Sequence, residues 1–284
     1  MPRKPAITVQ FWGVRGSIAS PGATTVRYGG NTACVSVDVG KNRLGVFDAG
    51  TGIRVLGKTL QANPKTIFVL LSHSHWDHIQ GFPFFSPLYE PKRTVYVLPP
   101  LAGKAQRCSA LTQMDGAHFP VTPDRLPSRT YCITEGGMDL LADHGLCIAP
   151  IPTNHPGGGS GYRIEQAGRS VVYLTDNELA PPYEPATDFD TFAHFCWHAD
   201  LLIHDAQYLE NDMPHKHGWG HSLVSQACAL AAAAQVKHLL LFHHDPERTD
   251  DEIDAIQDMA RAWLQTQEQP LQCTAAYEGL VVKI

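Results

Sequence analysis

The sequence predicts a single-domain α/β protein, and three observations carry that reading. Its 284 residues exceed the usual domain size yet suit one two-layer or four-layer α/β core. Apolar runs that are β-branched or alternating crowd the first quarter of the chain, and a second set follows its middle. Segments with apolar residues at helical spacing stand between those runs, so sheet and helix alternate.

The first set comprises "AITVQFWG" (6–13), "TACVSVDVG" (32–40), "RLGVFDAG" (43–50) and "TIFVLLSH" (66–73), each bounded by Gly, Asn or Pro. Helices are predicted over 51–62, where "TGIRVLGKTLQA" has helical spacing, and over 76–85. The second set comprises "GLCIAPIPT" (145–153), "GYRIEQ" (161–166), "RSVVYLTD" (169–176), "ADLLIHDA" (199–206) and "VKHLLLFHH" (236–244). A helix over 222–235 separates the last two. The final helix, 250–267, opens on a capping box from Thr249 to Glu252, and Ile253, Ile256, Met259, Ala260, Trp263 and Leu264 form its core-facing stripe. Residues 99–135 mix Pro, Gly and polar residues without periodicity, so they read as a lid-like insertion within one domain spanning 1–284. The two β-rich halves could be a diverged duplication.

A net charge of -6 with 18% charged residues excludes a general polyanion-binding surface. No apolar run reaches signal-peptide or membrane-spanning length, so a cytoplasmic protein with no membrane partner is expected. The seven cysteines (Cys34, Cys108, Cys132, Cys147, Cys196, Cys228, Cys273) are odd in number, scattered and never at C-x-x-C spacing. Reduced, mostly buried thiols are expected from them. The fifteen histidines are about twice what average composition gives, and they cluster as in metal proteins.

The densest cluster is "LLSHSHWDHIQGFPFF" (70–85). His73 and His75 sit two apart at a strand end, so they point the same way and can grip one ion together. Asp77 and His78 lie past the turn into a helix and can face a second ion. Four ligands are too few for two metals, so further ligands are expected at other strand ends. His155 follows "IAPIPT", Asp176 ends "VVYLT" and His243 ends "HLLLF". The expected assignment places His73, His75 and His155 on one ion, Asp77, His78 and His243 on the other, and Asp176 between them. Asp77 also counts as a candidate catalytic residue. Two divalent ions are expected, with zinc the first choice and manganese or iron compatible with the carboxylates. His244 is ambiguous with His243, although the position directly behind the apolar run favours His243. His215 and His217 stand in a Pro- and Gly-containing loop and are expected at the solvent.

H-S-H-W-D-H (73–78) resembles the H-x-H-x-D-H signature of the metallo-β-lactamase superfamily, over nearly the whole chain. The resemblance implies a four-layer αββα sandwich with the metals at the sheet edges. Asp48, ending "GVFDAG", matches the family's early aspartate, which holds a ligand histidine in one tautomer. "LLIHDAQY" (201–208) and "GWGHSLVSQACALA" (218–231) resemble the H-E-A-T and H-S-T elements of the RNase Z-like phosphodiesterase branch. Asp205 replaces the glutamate of the first element, and Leu223 the threonine of the second. By that correspondence His221 is a general acid and Asp205 supports its imidazolium. In "YGGNT" (28–32) Asn31 or backbone N–H groups could face a phosphate, or the stretch is a tight turn needing positive φ. The glycines of "HPGGGSGYRIE" (155–165) favour the turn reading. Arg15 and Arg27 could meet phosphate or serve as surface salt-bridge partners.

The same signature serves lactam, thioester, lactone and phosphodiester cleavage, so it defines a mechanism before a substrate. The leading expectation is a phosphodiesterase acting on small phosphodiesters such as cyclic 3',5'-nucleotides, through a metal-bridging hydroxide. RNase Z enzymes grip RNA with a basic Gly- and Lys-rich arm, which this sequence lacks, so nucleic acid is not expected as a stable partner. A carboxylic ester, thioester or lactone hydrolase is the main alternative and would not need His221. An RNA-processing nuclease or a non-catalytic metal- or ligand-binding protein are the others, and the full set of seven ligands argues against the last. Within the lid-like segment Met114, His118 and Phe119 could cover a base or form a homodimer contact.

Overall fold

Each β-rich half of the chain builds most of one sheet, and the last strand crosses back to join the first sheet. The computed structural model describes residues 7–40, 42–61, 65–102, 108–213, 215–268 and 271–284. Positions 6 and 62 of the predicted elements and 103–107 of the predicted lid lie outside them. The first half contains β1 (Thr8–Gly13), β2 (Cys34–Asp38), β3 (Arg43–Phe47), α1 (Ile53–Thr59), β4 (Thr66–Leu70), α2 (Trp76–Ile79), β5 (Thr94–Leu98), α3 (Ser109–Thr112), β6 (Arg129–Cys132) and α4 (Gly137–Asp143). The second contains β7 (Cys147–Thr153), β8 (Gly159–Gln166), β9 (Arg169–Leu174), α5 (Phe189–Phe195), β10 (Leu201–Asp205), α6 (Val224–Ala233), β11 (His238–Phe242), α7 (Asp250–Gln265), β12 (Gln272–Ala275) and β13 (Val281–Lys283).

One sheet runs β13-β1-β2-β3-β4-β5-β6 and the other β12-β11-β10-β9-β8-β7. Strands β3 to β6 are parallel, as are β9 to β12. Parallel strands covered on both faces read as continuous apolar runs, and "TIFVL" and "HLLLF" are buried almost throughout. Between the sheets, Phe47 is stacked against Tyr162 and Tyr173 with ring centroids 5.6 and 5.0 Å away. Helices α5, α6 and α7 cover the outer face of the second sheet over Leu174, Leu202, Leu239 and Leu241. Ile53, Leu56, Phe82, Phe85 and Met114 cover the outer face of the first. The result is the four-layer αββα sandwich that the resemblance implies.

The predicted helix over 76–85 stops at Ile79 and continues as short 3-10 turns, Phe82–Phe84 and Ser86–Tyr89, because Gly81 and Pro83 interrupt it. Part of the predicted lid belongs to the core: Met114 is fully buried and β6 is the edge strand of the first sheet. The expectation of seven reduced thiols is corrected, because Cys108 and Cys132 form a disulfide. They lie 24 residues apart, so spacing gives no sign of it; the pairing of β6 with β5 places Cys132 opposite Val97. Cys34, Cys147, Cys196, Cys228 and Cys273 are free, and Cys147 is exposed. No helix among the described residues is long and apolar enough to cross a membrane.

Candidate metal centre

Parallel strands deliver their carboxyl-terminal residues to one edge of a sheet, where loops can converge on a ligand. Asp48 follows β3, His73 and α2 follow β4, Asp176 follows β9, Asp205 ends β10 and His243 follows β11. His155 stands in the turn from β7 to β8, where Gly157 and Gly158 adopt positive φ. Asp48, Asp176 and His243 themselves have φ of 59°, 49° and 60°. A non-glycine residue held there costs about 1–3 kcal/mol, which the surrounding structure must offset. Three such residues at one site mark a backbone bent to aim side chains.

Seven side chains predicted as ligands gather in two groups. In one, His78 Nε2 lies 3.1 Å from both Asp77 Oδ2 and Asp176 Oδ2 and 3.2 Å from His243 Nε2. His243 Nε2 lies 3.2 Å from the same two carboxylate oxygens. Ligands of a tetrahedral ion bound at about 2.0–2.1 Å stand roughly 3.3 Å apart. The spacing therefore fits a cation cage. In the other group His75 Nδ1 lies 3.1 Å from His155 Nε2, and His73 Nε2 lies 3.6 Å from Asp176 Oδ1. Asp176 thus turns one oxygen to each group.

Electrostatics test the fit. Burial pushes the carboxyls of Asp77 and Asp176 up, but His78 and His243 outweigh it and hold both well below the ordinary range, so two anions share the centre. Burial, reinforced by His78, holds His73 well below the ordinary imidazole range. It is neutral, and its enclosed Nε2 has no hydrogen-bond partner. An enclosed lone pair beside paired buried carboxylates is what a divalent cation would satisfy.

The outer nitrogens of three histidines are fixed by acceptors. His78 Nδ1 donates to Asp48 Oδ2 at 2.8 Å, His243 Nδ1 to Gln207 Oε1 at 2.8 Å and His155 Nδ1 to the Gly220 carbonyl at 3.2 Å. Each bond turns Nε2 inwards. Asp48 also accepts from Tyr173 Oη at 2.7 Å and from Ser72, which ties the inter-sheet aromatic stack to the centre. Sequence reasoning missed Gln207, although it stands two residues past Asp205, the spacing that drew attention to His73 and His75. It also missed Glu178, whose buried carboxylate accepts the N–H groups of Gly218 and Gly220, both at 2.9 Å. That clamp fixes the loop bearing Trp219 and His221.

His221 Nδ1 donates to Asp205 Oδ2 at 2.6 Å, and Asp205 Oδ1 accepts the Gln207 N–H at 3.0 Å. Burial pulls the His221 pKa down, but Asp205, Asp176 and Asp77 outweigh it and raise it to about 9. His221 Nδ1 also lies 4.0 Å from Asp176 Oδ1. The ring lines a cavity of about 460 Å³ together with Ser17, Asp77, His155, Asp176 and two exposed tryptophans, Trp76 and Trp219.

Other predicted residues lie elsewhere. Asn31 is not brought to the centre: its N–H and side-chain amide donate to Glu278 at 2.6 and 2.8 Å. Gly29, at φ 99°, makes the neighbouring stretch a turn. Arg15 is buried and bonded to the carbonyls of Gly29 and Arg248, whereas Arg27 pairs with Asp251 and Asp254 at the surface. His244 Nε2 donates to the Ala276 carbonyl at 2.8 Å, so His243 is the inward member of that pair. His215 and His217 are exposed.

A family model described as the beta-lactamase superfamily domain matches residues 45–244. The chain belongs to that superfamily and has the metallo-β-lactamase fold. Ribonuclease Z of Halalkalibacterium halodurans is 35% identical over 258 residues, which cover 76% of this chain and 82% of that protein. Ribonuclease Z of Thermoplasma volcanium is 36% identical over 98 residues, or 34% of this chain, and the match spans 29% of that protein's length. Among solved structures the metallo-beta-lactamase fold protein YhfI from Bacillus subtilis superposes with a TM-score of 0.66 at 19% identity, covering 98% of this chain and 99% of that one.

Proposed function

We propose that this chain is a phosphodiesterase for small phosphodiesters, cyclic 3',5'-nucleotides first, working with two divalent ions of which zinc is the first candidate. The single observation that carries the reading is the His221–Asp205 pair beside the two ligand groups. A charged imidazole whose Nδ1 is held by Asp205 and whose ring lines the cavity would be a proton donor for a departing alkoxide. A thioester hydrolase, whose thiolate departs unprotonated, has no need of such a donor.

His73, His75 and His155 would hold one ion, Asp77, His78 and His243 the other, and Asp176 both. Bound there, the ions would supply Lewis-acid charge against phosphoryl oxygens and an activated water. The protein does the rest. Asp48, Gln207 and the Gly220 carbonyl orient the imidazoles, and the Ser17 N–H fixes the Asp77 carboxylate at 2.8 Å. Asp205 keeps the Nδ1 proton of His221 in place while Nε2–H donates to the leaving oxygen. Trp76 and Trp219 line the cavity and are exposed.

A cavity of about 460 Å³ lies within the range of small-molecule sites, and the net charge of -6 offers a polyanion no long-range attraction. The Ribonuclease Z relatives favour a phosphodiester and keep RNA 3'-end processing as the second reading. A panel of adenosine 3',5'-cyclic phosphate, bis-p-nitrophenyl phosphate, a precursor transfer RNA, a thioester and a lactone, tested on metal-loaded protein, separates these. Turnover of the cyclic nucleotide that collapses in His221→Ala supports the proposal. Thioester or lactone turnover that survives this substitution refutes it.

A further inference from the structure

A second cavity, of about 490 Å³, adjoins the metal cavity, and Ser74 and Trp76 belong to both. Its aromatic surface comes from Trp76, Phe84 and Phe119. Trp76 is 77% exposed and Phe84 56%, and with Phe119 they line one cavity rather than standing singly on the surface. Phe119 meets Phe84 edge to face at 5.3 Å.

The far wall is held in place by hydrogen bonds. Ser109 Oγ donates to Ser74 Oγ at 2.8 Å, which ties α3 to the loop of the metal-binding histidines. Gln113 Nε2 donates to the Ile79 carbonyl at 2.7 Å, closing the wall onto α2. The Asp115 carboxylate accepts the N–H groups of Ala117 and His118 at 2.9 and 2.8 Å, and Gly116 N–H donates to the Phe119 carbonyl at 3.0 Å. Phe119 is therefore presented by an organised turn.

The position of this cavity defines what it can receive. His221 and Trp219 come from loops of the second sheet and line the metal cavity alone, whereas the second cavity is built on loops of the first sheet. The substituents of a tetrahedral phosphorus diverge. With the leaving oxygen at His221, the remainder of the substrate can turn past Trp76. Three aromatic side chains recognise flat rings by stacking and edge contacts.

We propose that this second cavity is a subsite for a flat aromatic group on the side of phosphorus turned away from His221. That group is the retained arm of an acyclic diester or the base of a cyclic nucleotide. The proposal rests on the phosphodiesterase reading above and names its substrate class.

Three diesters that share the p-nitrophenolate leaving group test it on the metal-loaded full chain: methyl, phenyl and thymidine 5'-p-nitrophenyl phosphate. Wild type should favour at least one aromatic ester over the methyl ester by about tenfold in kcat/KM, and Phe84→Ala/Phe119→Ala should bring that ratio to within about twofold. Preference for the phenyl ester identifies an aryl site, and preference for the thymidine ester a nucleobase site. Calorimetric binding of diphenyl against dimethyl phosphate judges the subsite without turnover. Tighter diphenyl binding that the double variant loses sustains the subsite even if no diester is hydrolysed, an outcome that refutes the phosphodiesterase reading alone. Equal binding of the two phosphates overturns the subsite, as does an ester preference that survives in the variant. Loss of a dimer in the variant with an unchanged ester preference overturns it too.

Discussion

Replacing Asp205 with asparagine should separate substrates by their leaving groups. Burial lowers the His221 pKa, and Asp205, in contact at 2.6 Å, is the foremost of the anions that raise it to about 9. An opposite charge at such range is worth about 1–3 pKa units, or about 1.4–4 kcal/mol on the imidazolium. The acid form exists below the folded pKa and is lost above it, so lowering the pKa moves the alkaline limb of activity to lower pH. Lowering the pKa reduces the protonated fraction of His221 at alkaline pH. A ribose alkoxide needs that proton and should lose at least about tenfold in kcat, with His221→Ala losing about 10²–10⁴-fold. A p-nitrophenolate departs unprotonated and should lose far less. Profiles of kcat/KM against pH for adenosine 3',5'-cyclic phosphate and bis-p-nitrophenyl phosphate, in wild type and Asp205→Asn, provide the assay. Parallel losses on both substrates, or an alkaline limb that stays in place, would refute the assignment of His221 as proton donor.

Other substitutions probe the supports. Asp48→Asn withdraws the charge behind His78 and should weaken metal binding by about 10–100-fold, read by competition with a chromophoric chelator. Gly220→Ala would place a Cβ 2.0 Å from His155 Nδ1, so one of two ions should be lost on dialysis while the other is retained. Phe47→Ala empties the stack between Tyr162 and Tyr173 and should lower unfolding free energy by about 3–5 kcal/mol. A urea denaturation shift of under about 1 kcal/mol would contradict the packing described.

Legibility in the sequence followed physical distinctness. Central parallel strands such as β4 and β11 bury both faces, so their apolar runs stand out, and the residue at the end of each run is where a ligand is expected. That logic located Asp176 and His243, about a hundred or more positions from His73, without any help from local spacing. Short or peripheral strands escaped: β6 is four residues long and mostly exposed at the sheet edge, so no alternation survives in it. Glu178 and Gln207 act on backbone or on another side chain's outer nitrogen, interactions that exist only after folding. The left-handed backbone at Asp48, Asp176 and His243 is likewise invisible, because only a few per cent of non-glycine residues adopt it and residue type alone does not say which. At Asn31 the sequence leaves a phosphate contact and a tight turn both open, and the stretch is a turn in which Asn31 donates to Glu278.

The paired-cation centre is the claim on which the rest depends, and metal stoichiometry tests it. Protein stripped with a chelator, reloaded with zinc or manganese and freed of excess ions can be assayed by elemental analysis, alongside Asp176→Asn. About two ions per chain in wild type, and at most about one in the variant, are predicted from the two ligand groups that Asp176 joins. Wild-type protein that retains no ion, or a variant that retains as many as wild type, would contradict the account.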